Sequence, residues 1–180
     1  DNVLSSETRQ TKLQRGSMGF DGGVFGMTAL GAPSGASGGL SLGLLYRAGS
    51  YGIGATGRAG GIGSGDQHMA SVGLDCGARY YITTSDTAPF VGGGFALSSF
   101  SVERKNASDL EGAGFGAYVA VGAEVLRSHT ATLSFSLRVD TPFYALENEG
   151  GRYWNGNGYE SSPGSRYVAP LSFNAGFVFH

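Results

Sequence analysis

From Tyr167 to His180 the odd positions read Tyr167, Ala169, Leu171, Phe173, Ala175, Phe177 and Phe179, apolar or aromatic throughout, with Ser172, Asn174 and Gly176 between them. A period of two is the mark of a strand, because successive side chains leave its backbone on opposite faces. The run exceeds the five or six residues of an ordinary strand and suits a tilted membrane-crossing one, which needs roughly 9 to 11 residues. Hydrocarbon cannot hydrogen-bond an unpaired backbone group, so such a strand requires enough similar strands to close a barrel.

The rest of the chain supplies seven more. The first is predicted from Ser17 to about Leu30, with Met18, Phe20, Val24 and Leu30 on one face and Gly19, Asp21 and Gly23 on the other. Phe25 and Met27 break this pattern, which a bulge or a change of register would accommodate. The second sets Leu40, Leu42, Leu44 and Tyr46 against Ser41, Gly43 and Arg47, and the third Tyr51, Ile53, Ala55 and Ala59 against Gly52, Gly54, Thr56 and Arg58. A glycine-rich loop is expected around 61–66. In the fourth, Ala70, Val72, Leu74, Cys76, Ala78, Tyr80 and Ile82 alternate with Ser71, Gly73, Asp75, Gly77, Arg79 and Tyr81. The fifth places Val91, Phe95 and Leu97 opposite Gly92, Gly94, Ala96 and Ser98 before a charged loop at 103–109. The sixth turns Phe115, Val119, Val121 and Val125 outward with Tyr118 and Glu124 inward. The seventh turns Leu133, Phe135, Leu137 and Val139 outward with Arg138 and Asp140 inward.

An even strand number returns the chain to the end where it began. The connections after the second, fourth and sixth strands read as short, and those after the first, third, fifth and seventh as longer and more polar. Outer-membrane barrels show this asymmetry of periplasmic turns and external loops. Tyr46, Tyr51, Tyr80, Phe177 and Phe179 fall near the short-turn end, as an interfacial aromatic girdle would. A soluble barrel would point its apolar face inward. Here the face rich in glycine and small polar residues is the one that suits a narrow lumen.

Composition agrees with this reading. Glycine contributes 33 of 180 residues, and 14% are charged, well under the usual quarter. Mean hydropathy is −0.06 and no apolar run reaches the length of a membrane helix, so the hydrophobicity is dispersed by alternation. The net charge of −2 offers no electrostatic footprint for nucleic acid. Residues 1–16 are polar and aperiodic and read as a tail or short helix outside the membrane, with the barrel spanning 17–180. Without a basic start leading into an apolar run, any secretory signal is expected to have been removed already. Cys76 is the single cysteine and faces lipid by parity.

In this pattern the chain resembles the small eight-stranded outer-membrane barrels of the OmpA and OmpX type. The resemblance covers about Ser17 to His180 and rests on alternation, not on a signature peptide. It implies an integral protein of a bacterial outer membrane with periplasmic termini, in contact with outer-membrane lipids including lipopolysaccharide. It further implies that the barrel-assembly machinery reads Phe173, Phe177 and Phe179, although His180 follows the last aromatic. The peptidoglycan-binding domain of OmpA-like proteins is not expected in these residues.

The inward charges are the sharpest candidates. Counted from the short turns, Asp21, Arg47, Arg79 and Glu124 lie low, and Arg58, Asp75, Arg138 and Asp140 lie nearer the middle, each set with two charges of each sign. Eight strands leave room only for side chains, and charges there must pair to offset desolvation, so a plugged lumen without a wide pore is expected. A narrow ion or small-solute path through them is the alternative.

Gly52-x-Gly54-x-x-Gly57 matches a dinucleotide fingerprint and Gly39-x-Ser41-x-Gly43 a nucleophile elbow, but both motifs need a strand-to-helix turn and here sit within strands. No cofactor, metal site or catalytic residue is expected. A lipid A-modifying enzyme would have to use His68 beside Ser64 and Asp66, ordinary solvated loop residues. In the last connection Tyr144, Tyr153, Trp154 and Tyr159 alternate with glycine and asparagine, which supplies aromatic anchors on an adaptable backbone for an extracellular protein or glycan. The predicted work is therefore that of a structural anchor or adhesion-like surface protein.

Overall fold

The structure, a computed structural model, describes residues 16–30, 36–64, 67–104, 110–127, 129–148, 152–154, 159–161 and 166–180. Long strands dominate: β1 (Ser17–Leu30), β2 (Ala36–Ala48), β3 (Tyr51–Ser64), β4 (Gln67–Tyr81), β5 (Ala88–Arg104), β6 (Leu110–Val125) and β7 (Ala131–Pro142). Three short pieces follow, β8 (Glu147–Asn148), β9 (Arg152–Trp154) and β10 (Tyr159–Ser161), and then β11 (Ala169–Phe179). The polar segment assigned to the tail lies outside the described residues except for Gly16.

Each long strand pairs antiparallel with its sequence neighbour, and β11 joins β7 to β1. Phe20 stands opposite Leu44 on one side and Phe179 on the other, so the ladder has no free edge. The result is an up-and-down barrel of eight strands, β1 to β7 and β11. Its chain reverses at one end through Gly49, which takes φ +57°, a backbone conformation open to glycine without strain.

Alternation settles what faces where. Outside stand Met18, Leu42, Ile53, Val72, Phe95, Val121, Leu137 and Phe173, all exposed, with Leu74 and Phe115 each 67% exposed. An exposed apolar surface running round all eight strands has no counterpart on a soluble monomer and matches a hydrocarbon solvent. Toward the short-turn end Tyr51 and Tyr80 sit directly opposite each other with ring centroids 5.4 Å apart.

Two features differ from the sequence reading. Phe25 and Met27 do not break β1: its register runs without a bulge, and both side chains point into the lumen and are buried. The irregularity lies instead between Gly38 and Gly39, where β2 shifts against β3. The strands also run further at the loop end than predicted, β3 through Gly61 to Ser64 and β5 through Glu103 to Arg104. Much of the length assigned to loops there is paired strand, and the connection between β7 and β11 carries most of the difference between the two ends.

Candidate functional site

The lumen is filled in three tiers. Lowest, near the short turns, Glu124 of β6 is 0% exposed and faces three arginines. Arg47 Nη2 approaches Oε2 at 3.2 Å, Arg79 Nη1 approaches Oε1 at 3.1 Å, and Arg127 Nε lies 3.5 Å from Oε2. The Tyr81 hydroxyl donates to Oε1 at 2.9 Å. Arg79 also reaches Asp21 Oδ2 at 3.2 Å, and Arg47 donates to Thr132 Oγ1 at 3.4 Å. Rings cover the cations: Arg127 lies over Tyr81 at 4.1 Å and Arg79 over Phe90 at 5.1 Å. Burial is the largest influence on Arg127, which sits in the turn after β6, and lowers its pKa.

Midway up, Arg138 of β7 forks between two carboxylates. It bonds both oxygens of Asp75 on β4, through Nη1 to Oδ2 and through Nη2 to Oδ1 at 3.0 Å, and donates from Nε to Asp140 Oδ1 at 2.9 Å. Tyr118 stacks under its guanidinium at 3.8 Å. Arg58 completes this tier, 3.6 Å from Asp140 Oδ2, with hydrogen bonds to Ser172 Oγ at 3.1 Å and Asn174 Oδ1 at 3.3 Å. Between these two tiers lies a polar cavity of about 80 Å³ lined by Asp21, Arg58, Arg79, Ser136, Arg138 and Asn174. That is room for a few waters.

Glycine makes this packing possible where rings cross the lumen. A Cβ on Gly77 would collide with the Tyr118 hydroxyl and approach Gly93 O to 2.6 Å. Without that gap the ring could not lie beneath Arg138.

The third tier, at the loop end, is apolar. Phe25, Met27, Met69, Phe100, Val102 and Leu110 converge from four strands and enclose Leu146 and Val168 of the last connection. Tyr144 packs against them, its hydroxyl donating to Ser98 O at 2.9 Å, and burial raises its pKa.

The structure thus gathers the eight inward charges singled out from sequence into two groups, Asp21, Arg47, Arg79 and Glu124 below, and Arg58, Asp75, Arg138 and Asp140 above. Arg127 joins the lower group against strand parity, because Leu126 takes φ 62° and turns the following residue inward. The signal available in sequence was an arginine three residues after a buried glutamate. Tyr144, read from sequence as a loop aromatic, sits in the barrel mouth. Tyr153, Trp154 and Tyr159 fall on the β9–β10 ribbon, where Trp154 pairs with Tyr159. Their side chains, and that of His68 at the start of β4, lie outside what the structure describes, as does Asp66. The two glycine motifs sit within β2 and β3. Phe173, Phe177 and Phe179 point outward along β11, the last two with centroids 6.1 Å apart.

No protein-family model and no curated protein matches the chain. Among solved structures it is similar to Neisserial surface protein A, with a TM-score of 0.64 at 16% identity over 92% of this chain and 98% of that one. It is also similar to OprG from Pseudomonas aeruginosa, with a TM-score of 0.59 at 12% identity over 92% and 96%. Ail, the attachment invasion locus protein of Yersinia pestis, aligns with a TM-score of 0.51 at 10% identity over 90% and 97%. An apolar exterior, a charge-filled lumen and unbroken antiparallel closure agree with these likenesses: the chain has the fold of the small eight-stranded β-barrels of the bacterial outer membrane.

Proposed function

We propose that this protein is a structural anchor in a bacterial outer membrane, plugged along its lumen, whose work is done by the residues displayed at its loop end. The observation that carries this reading is the contrast between the two faces of one wall. The outer face is apolar all round, and the inner one holds Asp21, Asp75, Glu124 and Asp140 against Arg47, Arg58, Arg79, Arg127 and Arg138. Such a wall is stable in lipid but offers no conduit for solutes.

In this reading the termini and short turns are periplasmic, and the outward side chains contact outer-membrane lipids, lipopolysaccharide among them. The aromatics Phe173, Phe177 and Phe179 present the assembly signal. The β9–β10 ribbon, carrying Tyr153, Trp154 and Tyr159, contacts an extracellular protein or glycan. An aromatic-rich ribbon between glycine and asparagine stretches suits that role, because rigid rings supply contact area at small entropic cost. Function then resides in loops while the barrel holds them.

The test is a deletion of Arg152 to Gly164 in the intact chain, with folding checked by heat-modifiable gel mobility. Loss of binding to host cells or immobilised glycans with the folded mobility retained is the expected result. Unchanged binding would remove the ribbon from the account.

A further inference from the structure

We infer that the lumen is closed twice in series, by an apolar stopper that a displaceable strap completes at the loop end and, independently, by the charged tiers beneath it. This rests on the plugged-barrel reading and adds to it a moving part. Six stopper residues belong to the long strands of the wall: Phe25, Met27, Met69, Phe100, Val102 and Leu110. The seventh and eighth, Leu146 and Val168, do not. Leu146 lies on the strap that follows β7, and Val168 on the segment that leads into β11.

Among the described residues the strap is held by side-chain bonds of Tyr144, by backbone bonds of Phe143 and Leu146 and by one short ladder, the Phe143 amide donating to Phe115 O at 2.8 Å. The Tyr144 hydroxyl donates to Ser98 O at 2.9 Å and lies 2.9 Å from Ser98 Oγ, while its ring occupies space left open by Gly112 and Gly114. Leu146 exchanges both backbone hydrogen bonds with Arg166, at 2.9 and 2.8 Å. The short β8 adds two residue pairs with β6, Leu110 with Asn148 and Glu111 with Glu147. Withdrawing this segment breaks none of the pairings that close the barrel.

The two seals work by different physics. An apolar constriction excludes ions by excluding water. The tiers around Arg138 and Glu124 fill the lumen with paired charge. Barriers in series are governed by the higher, so opening one leaves the lumen closed. The consequence is functional: a ligand that engages the ribbon a few residues beyond Leu146 can pull the strap from the mouth without making the membrane leak.

The geometry also supplies reporters. Ser71 lines a void of about 20 Å³ under the stopper, with Met27 Sδ 3.6 Å from its Oγ, whereas Ser136 lines the cavity between the charged tiers. In a Cys76→Ser background, Ser71→Cys and Ser136→Cys are each exposed to a membrane-impermeant thiol reagent added outside intact cells. Both are expected to be protected behind the native strap. Tyr144→Phe, which removes both hydroxyl contacts with Ser98 and little volume, is expected to raise labelling at Ser71→Cys on the order of threefold to tenfold. Leu146→Gly together with Tyr144→Gly is expected to expose it fully, while Ser136→Cys stays protected until Arg138→Ala and Asp140→Ala are added. Rapid labelling of Ser71→Cys behind the native strap would overturn the stopper, even if the glycine variants fail to fold. Labelling of Ser136→Cys on strap removal alone would overturn the second seal. Steady large conductance of the unmodified protein would instead refute the plugged barrel itself.

Discussion

Glu124 is the residue whose loss the interior tolerates least, because three guanidiniums converge on its one carboxylate. Removing one partner of a buried ion pair costs about 3–5 kcal/mol, since the remaining charge stays desolvated. Glu124→Gln is expected to lower the barrel's unfolding free energy by that order in urea titrations in lipid vesicles. Adding Arg127→Met should recover part of the loss, and no recovery would mean that Arg127 is not coupled to the carboxylate. His180 sits at the same end, its amide bonded to Thr130 O at 3.0 Å. Burial first, and then Arg47, holds its imidazole below the ordinary value of about 6.5. The folded state therefore resists protonation, and this contribution to stability is lost as the pH falls from the ordinary imidazole value through the lowered one. An NMR titration of the His180 ring is expected to show a midpoint below that of a free histidine, and a midpoint above it would contradict the placement. Strand parity and distance from the turns were enough to bring eight lumen charges to notice. Arg127 was hidden because parity stops counting where Leu126 enters the left-handed region.

Among the elements, β4 and β11 announce themselves, since every second residue from Ala70 to Tyr80 and from Ala169 to Phe179 is apolar or aromatic or, at Cys76, a thiol. β1 does not, for a physical reason. The sequence reading assumes a polar lumen, so Phe25 and Met27 look like a fault, whereas they face inward to build the apolar tier. The extension of β3 through Gly61 to Ser64 was equally obscure, because glycine is a turn signal and here serves a strand. Depth along β4 gives a test of which solvent surrounds it. Leu74→Arg is expected to cost about 2–4 kcal/mol near mid-membrane, and Ile82→Arg, just beyond the strand's end, about 0–1 kcal/mol. Equal small costs, measured by unfolding in vesicles, would mean that the outer face does not meet hydrocarbon. On the inner face, Gly77→Val must displace Tyr118 or the backbone of β5. Overpacking of this kind costs roughly 1–3 kcal/mol and should reduce the fraction that migrates as folded barrel.

For the molecule as a whole, strand number, antiparallel order and closure could be derived from alternation alone, because a lipid-facing wall imposes one pattern on every strand. The loop end could not, because what happens there depends on contacts distant in sequence, such as Tyr144 reaching Ser98 and Leu146 pairing with Arg166. The central claim is a membrane-crossing barrel whose lumen is filled, and current through the refolded protein in a planar bilayer tests it most directly. After folding is verified by heat-modifiable mobility, silence or rare small openings is the predicted record. Steady conductance of porin size would contradict the filled lumen and make this a transport protein.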